Sequence, residues 1–150
     1  PGNFHITLAF LGNVPMDRVE DLIGAVANLR APGMPLVLDR YGHFPRPRVF
    51  WLGPTTTPPE YRALVGRLWE AVAALGLPLP ADAAPAGAGW QPHLTLCRKV
   101  QRQPAVPPPD PLSWTANDFV LAESVTEESG ARYSVLARFP AGPPPTGKAP

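Results

Sequence analysis

Cysteine is nearly missing from this sequence. Cys97 stands alone in 150 residues, which excludes an internal disulfide and any metal cluster built from cysteines. A lone thiol fits a reducing compartment. Lysine is scarce as well, with two residues against eleven arginines, and the formal net charge is only +1. That balance excludes a strongly electrostatic, sequence-blind nucleic-acid binder. The arginine bias suits bidentate recognition of phosphate, and it is equally what a GC-rich coding sequence supplies. No apolar run approaches the ~18–20 residues that a bilayer-crossing helix needs. No basic-plus-apolar leader opens the sequence, so a soluble, cytoplasmic protein without a membrane partner is expected. A Gly-x-Ser-x-Gly elbow and a glycine-rich phosphate cradle are also lacking.

What is abundant is proline, 23 residues beside 13 glycines. These crowd at 104–111 and 140–150, marking loops and a tail rather than a disordered chain. With 45% hydrophobic residues, positions 1–139 suffice for one domain with its own core, and at this size two small lobes sharing a cleft are open as well. Positions 140–150 read as a flexible tail.

Strict alternation over 4–11 (Phe-His-Ile-Thr-Leu-Ala-Phe-Leu) predicts a strand with Phe4, Ile6, Leu8 and Phe10 on its apolar face. Asp17 and Glu20 resemble a capping box, and Val19, Leu22, Ile23, Val26 and Leu29 recur at helical spacing, predicting a helix over 17–30. Strands over 35–41 and 48–53 flank the turn-rich Gly42-His43-Phe44-Pro45-Arg46-Pro47-Arg48. A second helix begins near Thr57, with Pro58 at its first position and Glu60 completing a capping box. Its stripe is Leu64, Val65, Leu68, Trp69, Val72 and Leu75, and Gly76 with Pro78 stop it. Residues 80–89 read as a loop and 92–98 as a strand. After a proline-rich loop, 117–125 and 132–139 form a hairpin around Glu128-Ser129-Gly130. Short strands and two helices in this order predict an α+β fold with mostly antiparallel sheets.

The sequence also echoes itself. Residues 5–8 are His-Ile-Thr-Leu and residues 93–96 are His-Leu-Thr-Leu. Strand period two sets His5 beside Thr7, and His93 beside Thr95, on the polar faces of otherwise apolar strands. One such triplet means little, but a matched pair suits a cleft with twofold pseudosymmetry as well as it suits two solvated faces. Imidazoles, titrating near pH ~6.5 in peptides, serve as general acid or base near neutrality. Two of them flanking a cyclic phosphodiester supply both proton transfers without a metal. Thr7 and Thr95 can hydrogen-bond the non-bridging oxygens, and Arg98, near the strand end, can neutralise the phosphate. A metal site competes poorly: there are three histidines, threonine is a weak ligand for zinc or copper, and no His-x-x-x-His, Cys-x-x-Cys or carboxylate cluster accompanies them.

These segments resemble the 2H phosphoesterase superfamily, and within it the RNA 2′,3′-cyclic phosphodiesterases also called 2′-5′ RNA ligases. The likeness rests on 4–12, on Gln91-Pro92-His93-Leu94-Thr95-Leu96-Cys97-Arg98, on 42–53 with its Phe-Pro-Arg…Trp-Leu-Gly run, and on 121–133. The resemblance implies a bilobal fold with two pseudo-symmetric sheets flanking a cleft and helices outside. It implies His5 and His93 as the catalytic pair, Thr7, Thr95 and Arg98 as phosphate binders, and no cofactor. Opening of a 2′,3′-cyclic phosphate on an RNA end or nucleotide to a 2′-phosphomonoester would follow, with His5 as acid and His93 as base. Reverse 2′-5′ ligation, and a binding module without turnover, are the alternatives. Members of the family carry a strand and helix ahead of the first motif, so either the start is trimmed or the first lobe lacks a strand. His43 reads first as a structural or exposed turn residue that could also border the cleft, Phe44 and Tyr133 are further cleft-lining candidates, and Phe44 and Trp90 are lesser candidates to stack on a base. The four tryptophans otherwise read as core, the arginines around 40–48 and 98–102 as solvated surface or RNA-steering groups, and the protein as a monomer.

Overall fold

Among the described residues, two amphipathic helices and seven strands surround one apolar core. The computed structural model describes residues 4–29, 31, 33–77, 90–128 and 130–141. A 3₁₀ turn, Met16–Arg18, leads into α1, Val19–Ala27. Strands β1 (Met34–Leu38), β2 (Arg40–Phe44) and β3 (Val49–Gly53) follow, then α2 (Pro59–Ala74). Strands β4 (Leu94–Cys97), β5 (Leu112–Ala116), β6 (Asp118–Glu127) and β7 (Gly130–Pro140) complete the order. Among the described residues these strands pair antiparallel throughout, the isolated Ala31–Ala141 bridge alone being parallel. The α+β architecture expected from the sequence is therefore the one observed, but the strands pair as three sheets rather than two: β1–β5, β2–β3–β4 and β6–β7.

Leu22 and Val26 of α1 meet Leu64, Leu68 and Val72 of α2, and both helices lie on Met34, Leu36, Leu38, Leu52 and Phe139. On β1 the burial alternates strictly, because period two turns Pro35 and Val37 outward. The Arg18 guanidinium donates to the Leu75 carbonyl at 2.8 Å, satisfying an orphan acceptor at the end of α2 with a cation that its dipole favours. Tyr61 anchors α2 to β1 by donating its buried hydroxyl to the Met34 carbonyl at 2.9 Å. Burial holds that phenol above tyrosine's ordinary 10.0, so this contribution to folding is complete below about pH 10 and is lost as the pH rises further. Tyr61→Phe is expected to cost about 0.5–1.5 kcal/mol, read as a lower urea midpoint at unchanged m-value, with activity retained.

Several expectations are corrected. Residues 4–11 do not form a strand. The segment touches β4 through a single bridge, Ile6 to Leu94, and Phe4 and Phe10 are 60% and 64% exposed. Strand β4 is only four residues long, and the Trp90 indole, not a ladder N–H, donates to the Thr7 carbonyl. The strand expected over 35–41 is two strands in different sheets, broken at Asp39, whose carboxylate accepts from the Thr55 N–H. Strand β2 runs through His43 and Phe44, so the turn is confined to 45–48. Neither capping box forms: the helices start without a side-chain cap, and Pro59, not Pro58, is the first residue of α2. Strand β5 replaces part of the expected loop, and its Trp114 is 44% exposed rather than core. Pro140 closes β7 and buried Ala141 bridges Ala31, so these two belong to the fold. The loop expected at 80–89, and positions 142–150 of the expected tail, lie outside the described residues.

Candidate functional site

Strand β3 is central to the three-stranded sheet, and its register sets the site. Trp51 lies opposite Gly42 of β2 and Thr95 of β4, and Leu52 lies opposite Tyr41 and Leu94. The Ile6–Leu94 bridge adds the first motif to the outer side of β4. Leu52 belongs to the core, while Tyr41, Leu94 and Ile6 pack against it. By alternation Gly42, Phe44, Trp51, Thr95, His93, His5 and Thr7 belong to the other face. Because the bridge is antiparallel, His5 falls beside Thr95 and Thr7 beside His93. The two His-x-Thr units are thus related by a local twofold through Ile6 and Leu94. The two histidines then lie diagonally across the bridge.

His93 is held on three sides. Its Nδ1 lies 2.8 Å from the Gln91 carbonyl, and since a carbonyl only accepts, Nδ1 carries the proton. The neutral ring then presents a bare Nε2 lone pair. Phe44 meets the ring edge-on at 5.0 Å and Trp51 lies at 6.3 Å. Pro92, between Gln91 and His93, keeps the preceding residue extended, and the Gln91 side chain bonds the Pro54 and Pro92 carbonyls. His5 is exposed and lies against the Tyr133 ring at 4.6 Å, interplanar angle 58°. The 90–93 segment is tied to both motifs, since Trp90 donates to the Thr7 carbonyl at 3.2 Å while stacking on Tyr61.

Beneath His93 and Thr95 lies a buried platform. Trp51 is flanked by Phe44 at 5.3 Å and by the Arg40 guanidinium at 5.2 Å from its ring. Arg40 also donates to Gln91 Oε1, joining the platform to the segment that sets the His93 tautomer. Sequence reasoning missed the parts played by Gln91, Arg40 and Gly42. The only signals were the Gln-Pro-His order and a glycine inside a strand.

Of the candidates, His5, Thr7, His93 and Thr95 come together on one face, with Tyr133 and Phe44 against the histidines. Arg98 is exposed in the bend just after β4. His43 is not brought to this face. It alternates away from Phe44, and its Nε2 donates to the Val100 carbonyl at 2.8 Å. Trp90 is committed to Tyr61 and Thr7. Among the described residues, no three His, Cys, Asp or Glu side chains gather as a metal site, and no helix is long and apolar enough to cross a membrane.

Comparison with known proteins gives the family and the fold. The family described as the 2′-5′ RNA ligase superfamily matches residues 3–127. The RNA 2′,3′-cyclic phosphodiesterase of Escherichia coli (strain K12) is 32% identical over 138 residues, spanning 91% of this chain and 75% of that protein. The protein of the same name from Thermus thermophilus is 33% identical over 150 residues, 93% of this chain and 72% of the relative. Among solved structures, E. coli LigT complexed with 3′-AMP superposes with a TM-score of 0.82 at 31% identity, covering 93% of this chain and 78% of LigT.

Proposed function

We propose that this chain, which belongs to the 2′-5′ RNA ligase superfamily, hydrolyses the 2′,3′-cyclic phosphate at an RNA or nucleotide end by metal-independent acid–base catalysis. The observation that supports the reading is the antiparallel Ile6–Leu94 bridge, which brings two sequence-distant His-x-Thr segments side by side.

The chemistry follows from the arrangement. With Nδ1–H donated to the Gln91 carbonyl, His93 offers Nε2 to take a proton from water as its oxygen attacks phosphorus. The 3′ oxygen departs and receives a proton from His5 on the far side of the phosphate. The product is a 2′-phosphomonoester, and the enzyme is left with protonated His93 and neutral His5, reset by proton exchange with solvent. Thr7 and Thr95 hydroxyls hold the non-bridging oxygens, where donors placed for the transition state act most effectively. Arg98 balances the phosphate charge. Tyr133, packed on His5, restricts the ring's orientation. The structural neighbour bound to 3′-AMP and the names of the relatives support the substrate class.

The test is a short RNA ending in 2′,3′-cyclic phosphate, incubated with the protein in excess EDTA, with 2′- and 3′-phosphate products resolved. EDTA-resistant formation of the 2′-phosphate is expected. Dependence on added divalent metal, or a 3′-phosphate product, overturns the reading.

A further inference from the structure

We propose that the turn between β2 and β3 and the bend after β4 form a rim that grips backbone phosphates of single-stranded RNA on the 5′ side of the terminal cyclic phosphate. This deepens the phosphodiesterase reading and rests on it. Two backbone-directed bonds weld the segments together: the Val100 N–H donates to the Arg48 carbonyl at 2.9 Å, and His43 Nε2 donates to the Val100 carbonyl at 2.8 Å. Arg46 and Arg48 are thereby brought to the same end of the sheet as Arg98, Lys99 and Arg102.

All five cations are exposed. Among the described residues none of them enters an ion pair, whereas Arg18, Arg132 and Arg138 each have a carboxylate partner. Neither 40–53 nor 93–109 contains an Asp or Glu, so nothing on these two segments neutralises them. Arg48 and Lys99 hold left-handed φ of 55° and 62°, positions where glycine would sit without strain, yet each carries a long cation. The hairpin that packs on His5 has the other sign. Around Tyr133, the turn half of that hairpin carries Glu123, Glu127 and Glu128 against Arg132 alone. A polyanion leaving the reaction face is repelled there and drawn over the 46–48 and 98–102 rim. Arg98 lies three residues beyond Thr95, at most about 10 Å along the chain, so it links the terminal phosphate to those behind it.

The measurement is fluorescence anisotropy of a labelled decanucleotide ending in 3′-phosphate, from 50 to 200 mM NaCl, with the kcat/KM of cytidine 2′,3′-cyclic phosphate alongside. Three engaged phosphates give a log–log salt slope of about −2, a roughly twentyfold weakening over that range. Arg46→Gln/Arg102→Gln is expected to flatten the slope by about 1.4 while turnover of the mononucleotide is unchanged, and Glu128→Gln is expected to leave the slope alone. An unaltered slope in the double variant overturns the rim, as does an equal change in Glu128→Gln. If the wild type turns over no cyclic phosphate, the phosphodiesterase reading fails, and the anisotropy slopes still decide the rim on their own.

Discussion

Replacing His93 by alanine is expected to lower kcat on a 2′,3′-cyclic phosphate by about 10²–10⁴-fold, and His5→Ala by a similar factor, with KM little changed. Each imidazole acts on a proton that moves only in the transition state, so its loss appears in kcat rather than in substrate binding. The double variant is expected to fall far short of the product of the two single losses, because one proton transfer has little value without the other. The residual rate then belongs to Thr7, Thr95 and Arg98 holding the phosphate. His5→Ala should keep the wild-type urea midpoint, since His5 is exposed, whereas His93→Ala also gives up the ring's packing on Phe44 and Trp51 and should lower it somewhat. The pH profile separates the two: the bell of the wild type should lose its acidic limb without the base and its basic limb without the acid. Turnover that survives both substitutions would sink the two-histidine mechanism.

The repeated motif was legible because strand period two is a local rule: it assigns His and Thr to one face and Ile or Leu to the other before any partner strand is known. The hairpin and the stripe of α2 were legible for the same reason. What the sequence hid depends on partners. Phe4 and Phe10 alternate correctly, yet alternation does not supply a neighbouring strand, and both end up in solvent. Asp39 interrupts an apolar run by accepting the Thr55 N–H, a contact sixteen positions away that divides one expected strand between two sheets. Strand β5 was masked by the prolines before it, although Ser113 and Thr115 alternate with Leu112, Trp114 and Ala116. The His93 tautomer depends on a carbonyl, which every residue possesses, so no side-chain pattern announces it. His43 shows the structural reading of a lone histidine in a turn region holding: it ties two loops together.

Gly42→Ala is expected to be among the most damaging single substitutions in the molecule. A Cβ at Gly42 would stand 2.0 Å from Cζ2 and 2.4 Å from Cε2 and Cη2 of Trp51, far inside van der Waals contact. The indole cannot slide freely, because Phe44 and Arg40 flank it and His93 lies nearby. Overpacking of this kind costs about 1–3 kcal/mol, a fall of roughly 2–12 °C in Tm for a domain of this size. The displacement also reaches the chemistry, since Phe44 meets the His93 ring edge-on, so kcat should drop along with stability. A double-mutant cycle with Trp51→Phe isolates the cause. The smaller ring frees the space that the new methyl needs, and it removes a buried indole N–H that has no partner among the described residues, a group whose burial is itself unfavourable. Gly42→Ala should therefore cost much less in the Trp51→Phe background than alone. Strictly additive losses would mean that the glycine is kept for its backbone freedom and not for the indole lying across it.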